Sequence, residues 1–139
     1  MTTDAFDITI GADIAEIAKV SEMLESVMQS PAFLPDSVLD TQLAVEEVVT
    51  NIIMHGYRGG AGTIHISCSS ENDRVVIRIS DNAPAFDPLS LPDPDIDAGV
   101  QKRQIGGLGV YLVRQVMDDI SYRYENGQNI LTLTKKRNG

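Results

Sequence analysis

No run of about 18 apolar side chains, the length a membrane-crossing helix needs, occurs in the 139 residues, and Met1 to Asp7 carry no basic region followed by an apolar stretch. Neither a membrane span nor a leader is expected, and the cytoplasm is the default location. Cysteine is almost missing. Cys68 stands alone, so no internal disulfide framework and no cysteine cluster for zinc can form; a small buried strand residue is the plainer reading of it. Basic residues are scarce too, eleven against twenty acidic ones, for a formal net charge of -9. That excess repels both a nucleic-acid backbone and an anionic membrane surface, so neither is an expected partner. What the chain does have is 42% hydrophobic composition over a length suited to one core, and residues 1–139 are read as a single domain.

The apolar spacing lays out the elements. Phe6 to Ile10 alternate apolar and polar side chains, as in a short edge strand. Ile14, Ile17, Ala18, Leu24, Val27 and Met28 recur at helical spacing until Ser30-Pro31, a stripe equally suited to a core or to pairing with a second copy of the chain. Pro35-Asp36-Ser37 offers capping chemistry for a second helix from about Ser37 to His55, ended by Gly56, with Val38, Val45, Val48, Val49 and Ile52 on its apolar arc. Two strands follow, Thr63 to Ser69 and Arg74 to Ser80, around a turn at Glu71-Asn72-Asp73. From Asp81 to Ile105 the periodicity lapses across four prolines and five aspartates, which predicts a long functional loop or lid over about 82–105. Leu108, Leu112, Val113, Val116 and Met117 then mark a third helix, and Ile120 to Tyr124 and Asn129 to Thr134 a hairpin around Asn126-Gly127. Lys135-Lys136-Arg137 reads as a solvated tail, and Tyr122 and Tyr124 as side chains on an uncovered sheet face open to a partner or to ordinary packing. Hairpins without regular βαβ alternation predict an α+β fold, a two-layer sandwich of a mostly antiparallel mixed sheet with helices on one face.

Three short segments carry candidate chemistry. Glu47 and Asn51 are four residues apart and share one side of the second helix, away from its apolar arc, so a carboxylate and an amide can address one metal ion or one reacting hydroxyl. Glu46, about 100° around the helix from Glu47, points elsewhere. Asp81 ends a strand and can accept a hydrogen bond. Gly106-Gly107-Leu108-Gly109 opens the third helix, where backbone N–H groups and the helix dipole favour a phosphate. Alone, each has an ordinary explanation: a solvated helix face, a turn residue, a flexible helix start. In this order they read as a split nucleotide site. In so acidic a chain a triphosphate needs a divalent cation, and magnesium is the natural one.

Leu43 to Asn51, continuing through His55-Gly56-Tyr57, resembles the first nucleotide-binding box of the GHKL ATPases of Bergerat fold, and specifically of RsbW-type anti-sigma factor serine kinases. Asp81 to Pro88 is similar to their second box and Gly106 to Arg114 to their third, so the likeness spans nearly the whole chain. It implies ATP and Mg2+ as cofactors, Glu47 as general base, Asn51 as magnesium ligand and Asp81 as the reader of the adenine amino group. It implies Gly107, Leu108 and Gly109 as the phosphate loop. Ala83 stands where the second box commonly has glycine, so a strained backbone there would weaken binding and an ordinary one would not. Lys102 and Arg103 are the basic pair near the third box; either could neutralise a terminal phosphate, and Arg103 is counted with the binding residues.

The function this implies is an ATP-dependent serine/threonine protein kinase acting as an anti-sigma regulatory factor, with a STAS-domain anti-anti-sigma protein as substrate and a sigma factor or similar regulator as second partner. A homodimer through the first helix also follows from the likeness. The alternative is a nucleotide-gated protein-binding regulator in which no phosphate moves.

Overall fold

The computed structural model describes residues 3–29, 33–71, 73–90 and 107–137. Among them the elements run β1 (Thr3–Gly11), α1 (Ile17–Val27), α2 (Pro35–Asn51), β2 (Thr63–Ser70), β3 (Arg74–Asp81), α3 (Gly107–Val116), β4 (Asp119–Glu125) and β5 (Gln128–Lys136). The sheet order is β1-β2-β3-β5-β4 and each described pair is antiparallel, with β1 on the expected edge. This is the α+β architecture that the hairpin pattern predicts.

Strand register decides which face is covered. Ile8 pairs with Ile66, Ile66 with Ile79, Ile79 with Leu131 and Leu131 with Tyr122, so one face presents an apolar row across all five strands. Ile64, Ile66, Cys68, Val75, Ile77, Ile79, Leu131 and Leu133 are buried there together with α1, α2 and α3 side chains. Burial pushes the Cys68 thiol up to about 12, so it stays protonated and packs as a small apolar group. The other face carries Asp7, His65, Ser67, Ser69, Arg78, Arg123 and Gln128, the polar half of the alternation. Among the described residues no helix is long and apolar enough to cross a membrane.

Several expectations need correction. Ile14 lies in a single 3-10 turn, Ile14–Glu16, before α1, capped by the Asp13 carboxylate at 3.0 Å from the Ala15 N–H. That tighter turn shifts the helical phase, so Ile14 and Ala18 are exposed and the core stripe is Ile17, Val20, Leu24 and Met28. The capping role of Asp36 and Ser37 is not seen: Leu34 is the N-cap residue of α2, Pro35 begins the helix, and buried Ser37 accepts a 2.8 Å hydrogen bond from the Thr41 hydroxyl at its carbonyl. Pro35 suits that place because its missing N–H would be unsatisfied there anyway. Of the two readings of Tyr122 and Tyr124, ordinary packing holds for Tyr122, whose register against Leu131 puts it on the helix-covered face against the core; Tyr124, opposite Asn129, shares that face and is exposed. Lys135 is not part of a solvated tail. β5 runs on to Lys136, and Lys135 is buried, its ammonium donating to the Val116 carbonyl at the end of α3 and lying 3.6 Å from Asp40 on α2.

At its C-terminal end α2 widens. Ile52–Gly56 form a π-helical turn, closed by the Tyr57 N–H on the Ile52 carbonyl at 2.8 Å. The helical run to His55 is therefore present, with one residue more in its last turn than an α-helix would hold.

Candidate functional site

The site grows from the end of β3. Asp81 follows a strand of alternating apolar residues and inherits their inward direction, which buries its carboxylate to 5% exposure. Burial raises its pKa, while hydrogen bonds from Asn129 and the Ala83 N–H hold it down in part. Both bonds go to Oδ1, at 3.0 Å from Asn129 and 2.9 Å from Ala83. Among the described residues Oδ2 has no partner, and it is not sealed from solvent. One carboxylate oxygen is thus held by the protein and the other is left to accept from a ligand.

Asn129 is the hub of this corner. It faces Asp81 across the β3–β5 ladder, buried to 8% exposure. Its amide N–H groups donate to Asp81 Oδ1, to the Ala83 carbonyl at 3.0 Å and to the Pro84 carbonyl at 3.2 Å. Its Oδ1 accepts from the Phe86 N–H at 3.0 Å and from the Tyr122 hydroxyl. The loop from Ala83 to Phe86 is fixed by one side chain on a neighbouring strand. Asn126 and Gly127, with φ of 54° and 78°, make the tight turn that brings Asn129 there.

The His55-Gly56-Tyr57 segment clamps the same loop from the other side. The Tyr57 hydroxyl accepts from the Asn82 N–H at 2.9 Å and donates to the Thr63 carbonyl at 2.6 Å. Its ring lies flat on Gly62, where an added Cβ would come within 2.5 Å of ring carbons. A Cβ on Gly56 would stand 3.2 Å from the Ala83 Cβ. Ala83 itself is absent from the residues with positive φ, so its backbone is ordinary and its methyl fills space that glycine at 56 leaves.

These pieces enclose a cavity of about 360 Å³. Val48, Ile52, Ile79, Val113, Ile120 and Leu131 form its apolar wall, Asp81 and Asn129 its polar end, and Asn51, His55 and Arg58 its α2 side. Asp81 and Asn51, 30 positions apart in the chain, therefore share one hollow. Glu47 is half-buried one turn before Asn51, does not line the cavity, and has no hydrogen-bond partner among the described residues. Glu46 points away, accepting from the Ser21 hydroxyl on α1 at 3.1 Å. Gly107, Leu108 and Gly109 form the first turn of α3, and Val113 further along that helix reaches the cavity. Gly106, Lys102, Arg103 and the lid beyond Ser90 lie outside the described residues. Among the described residues no group of three or more His, Cys, Asp or Glu side chains could hold a metal ion.

The family of histidine kinase-like ATPase domains matches residues 10–135. The chain belongs to this family. Among its relatives are serine-protein kinases RsbW of Bacillus cereus (strain G9842) and Bacillus thuringiensis subsp. konkukian (strain 97-27), each 30% identical over 132 residues, 92% of this chain and 82% of the relative. The serine-protein kinase RsbW of Bacillus mycoides (strain KBAB4) is 29% identical over the same shares of both chains. The resemblance read from the three boxes is thus to the right family.

For a histidine kinase-like ATPase the use of ATP follows from membership, and the donors fit: an apolar slot for a base, a free carboxylate oxygen at its end, and an amide on the wall. Sequence reasoning misses Asn129 and Arg58, and it places Tyr57 in the first box without giving it a role. Asn129 had a signal, a polar side chain on the inward side of an alternating strand. The Tyr57 clamp had none, since nothing local says that its hydroxyl reaches Asn82 and Thr63.

Proposed function

We propose that this protein is an ATP-dependent serine/threonine protein kinase of anti-sigma type, phosphorylating a STAS-domain anti-anti-sigma protein and sequestering a sigma factor or similar regulator in the cytoplasm. The observation that carries the nucleotide reading is the divided Asp81 carboxylate, one oxygen bound by Asn129 and Ala83 and the other free, at the closed end of an apolar cavity that also contains Asn51. The kinase half rests on kinship with serine-protein kinases.

ATP supplies the phosphoryl group when bound. Asp81 Oδ2 would accept a hydrogen bond from the adenine amino group, and Asn129 assists by fixing the carboxylate through Oδ1. Asn51 would hold Mg2+ together with phosphate oxygens and water, in keeping with that ion's habit of taking few protein ligands. Gly107, Leu108 and Gly109 offer backbone N–H groups at the start of α3, a helix long enough for its dipole to favour phosphate. Glu47, one turn from Asn51 and without an internal partner, orients or deprotonates the incoming hydroxyl. Phosphoryl transfer depends mostly on positioning and charge neutralisation, so this small set of groups suffices.

Labelled ATP with Mg2+ and purified STAS-domain proteins tests the reading. Label on a serine of the STAS protein is expected. A complex that forms with ATP yet never transfers label would favour the nucleotide-gated regulator instead, and the absence of any thermal shift with ATP and Mg2+ would remove the nucleotide reading altogether.

A further inference from the structure

Arg58 is an exposed residue on the cavity wall, and nothing above gives it a role. Its φ of 54° is one that side-chain-bearing residues adopt at a cost and that glycine adopts freely, as its neighbour Gly59 does at 76°. The turn itself does not call for arginine. Several described cations are engaged, Lys135 on Val116 and Asp40, Arg74 on Asp73 and Arg123 on Glu125, and among the cavity-lining residues Arg58 is the one Lys or Arg. Arg58 has no hydrogen-bond or ion-pair partner among the described residues. A strained backbone beneath an uncommitted cation on a cavity wall is a pattern of binding sites.

Its place in the cavity is set by the residues just before it. Gly56 abuts Ala83 and the Tyr57 hydroxyl binds the Asn82 N–H, so the chain reaches Arg58 along the loop that follows Asp81. That is the base end, whereas the first turn of α3 belongs to the phosphate end. We propose that Arg58 contacts the purine nucleoside, its planar guanidinium stacking on the base or donating to the ribose, and not the phosphates. A guanidinium can do both; an ammonium cannot stack in the same way. The inference rests on the nucleotide reading of the cavity.

Calorimetric titration of the full chain with adenosine, ADP and ATP, each with Mg2+, tests it. Arg58→Ala should weaken all three by a similar factor, roughly 3- to 30-fold, and Arg58→Lys should recover little of the loss. Arg58→Gly should bind as weakly as Arg58→Ala while melting at or above the parent temperature, because glycine relieves the left-handed backbone; a purely structural arginine would not separate the two readings. Losses that grow with the number of phosphates, or unchanged adenosine and ADP affinity, would overturn the proposal while leaving the nucleotide site intact. A parent protein that binds none of the three would overturn both.

Discussion

The two ends of the cavity are built differently. At the base end the loop after Asp81 is tied down by the protein: Asn129 makes hydrogen bonds to Asp81, Ala83, Pro84, Phe86 and Tyr122, and Tyr57 ties Asn82 to Thr63, leaving Asp81 Oδ2 and the exposed Arg58 side chain without partners among the described residues. At the other end the side chains of Glu47 and Asn51 make no hydrogen bonds among the described residues. The base end is thus held by internal hydrogen bonds before any ligand arrives, as a recognition element needs to be. Under the proposed function the uncommitted groups of the phosphate end would make their interactions with the ligand and the reacting hydroxyl.

The sharpest way to break this contrast is at the phosphate end. Glu47→Ala should lower the rate of transfer to a STAS-domain protein by about 10²- to 10⁴-fold, the usual worth of a general base, with nucleotide affinity unchanged. Asn51→Ala should also abolish the gain in ATP affinity that Mg2+ brings. Equal transfer rates for Glu47→Ala and parent, in a quenched-flow or gel assay, would discard the catalytic assignment. At the base end Asp81→Asn should weaken adenosine and ADP by about 10- to 100-fold through loss of a charged acceptor, whether or not Mg2+ is present. A loss that depends on Mg2+ would blur the division between the ends.

Asn129→Ala should cost about 1–3 kcal/mol of stability, because it strands the Ala83 and Pro84 carbonyls and the Phe86 N–H. It should also weaken adenosine binding, read from denaturation and titration on the same sample. Gly56→Ala is a smaller perturbation: its new Cβ would meet Ala83 at 3.2 Å, so it should destabilise by roughly 1 kcal/mol. Ala83→Gly in the same chain should recover most of that loss, and strictly additive single and double variants would show that the two positions do not touch.

The gentlest probe is pH. The folded-state pKa of Asp81 is raised above its ordinary 3.8 by burial. Below 3.8 this group's contribution to the stability of the ligand-free protein is fully present, and it is lost as pH climbs through the raised value. Nucleotide affinity should move the other way, falling as acid protonates the accepting carboxylate. Adenosine titrations across that window should show the fall in the parent and its absence in Asp81→Asn.

Much of the fold was legible because it is local. Period-two alternation found Ile64, Ile66, Cys68, Val75, Ile77 and Ile79, all buried. The misreadings share a non-local cause. Ile14 was assigned to the stripe of α1 because spacing alone does not reveal a 3-10 turn ahead of the helix. Lys135 reads as part of a solvated tail, and Tyr122 stays undecided between an uncovered face and ordinary packing, because the face a strand residue takes depends on its register with a partner elsewhere in the chain. The cavity follows the same rule: motif and order single out Asp81 and Asn51, which line it together, whereas Asn129 reaches it through a ladder position 48 residues from Asp81.

The π-helical turn after Asn51 makes the placement of the His55-Gly56-Tyr57-Arg58 segment relative to the Asn51 amide a matter of residue count as much as residue identity. Were positions 52–56 to tighten into an ordinary α-helix with every residue kept, the segment beyond would swing by about 100° about the axis. Gly56 would then leave Ala83, and the Tyr57 hydroxyl would leave Asn82, so the wall of the cavity depends on one widened turn absorbing one extra residue.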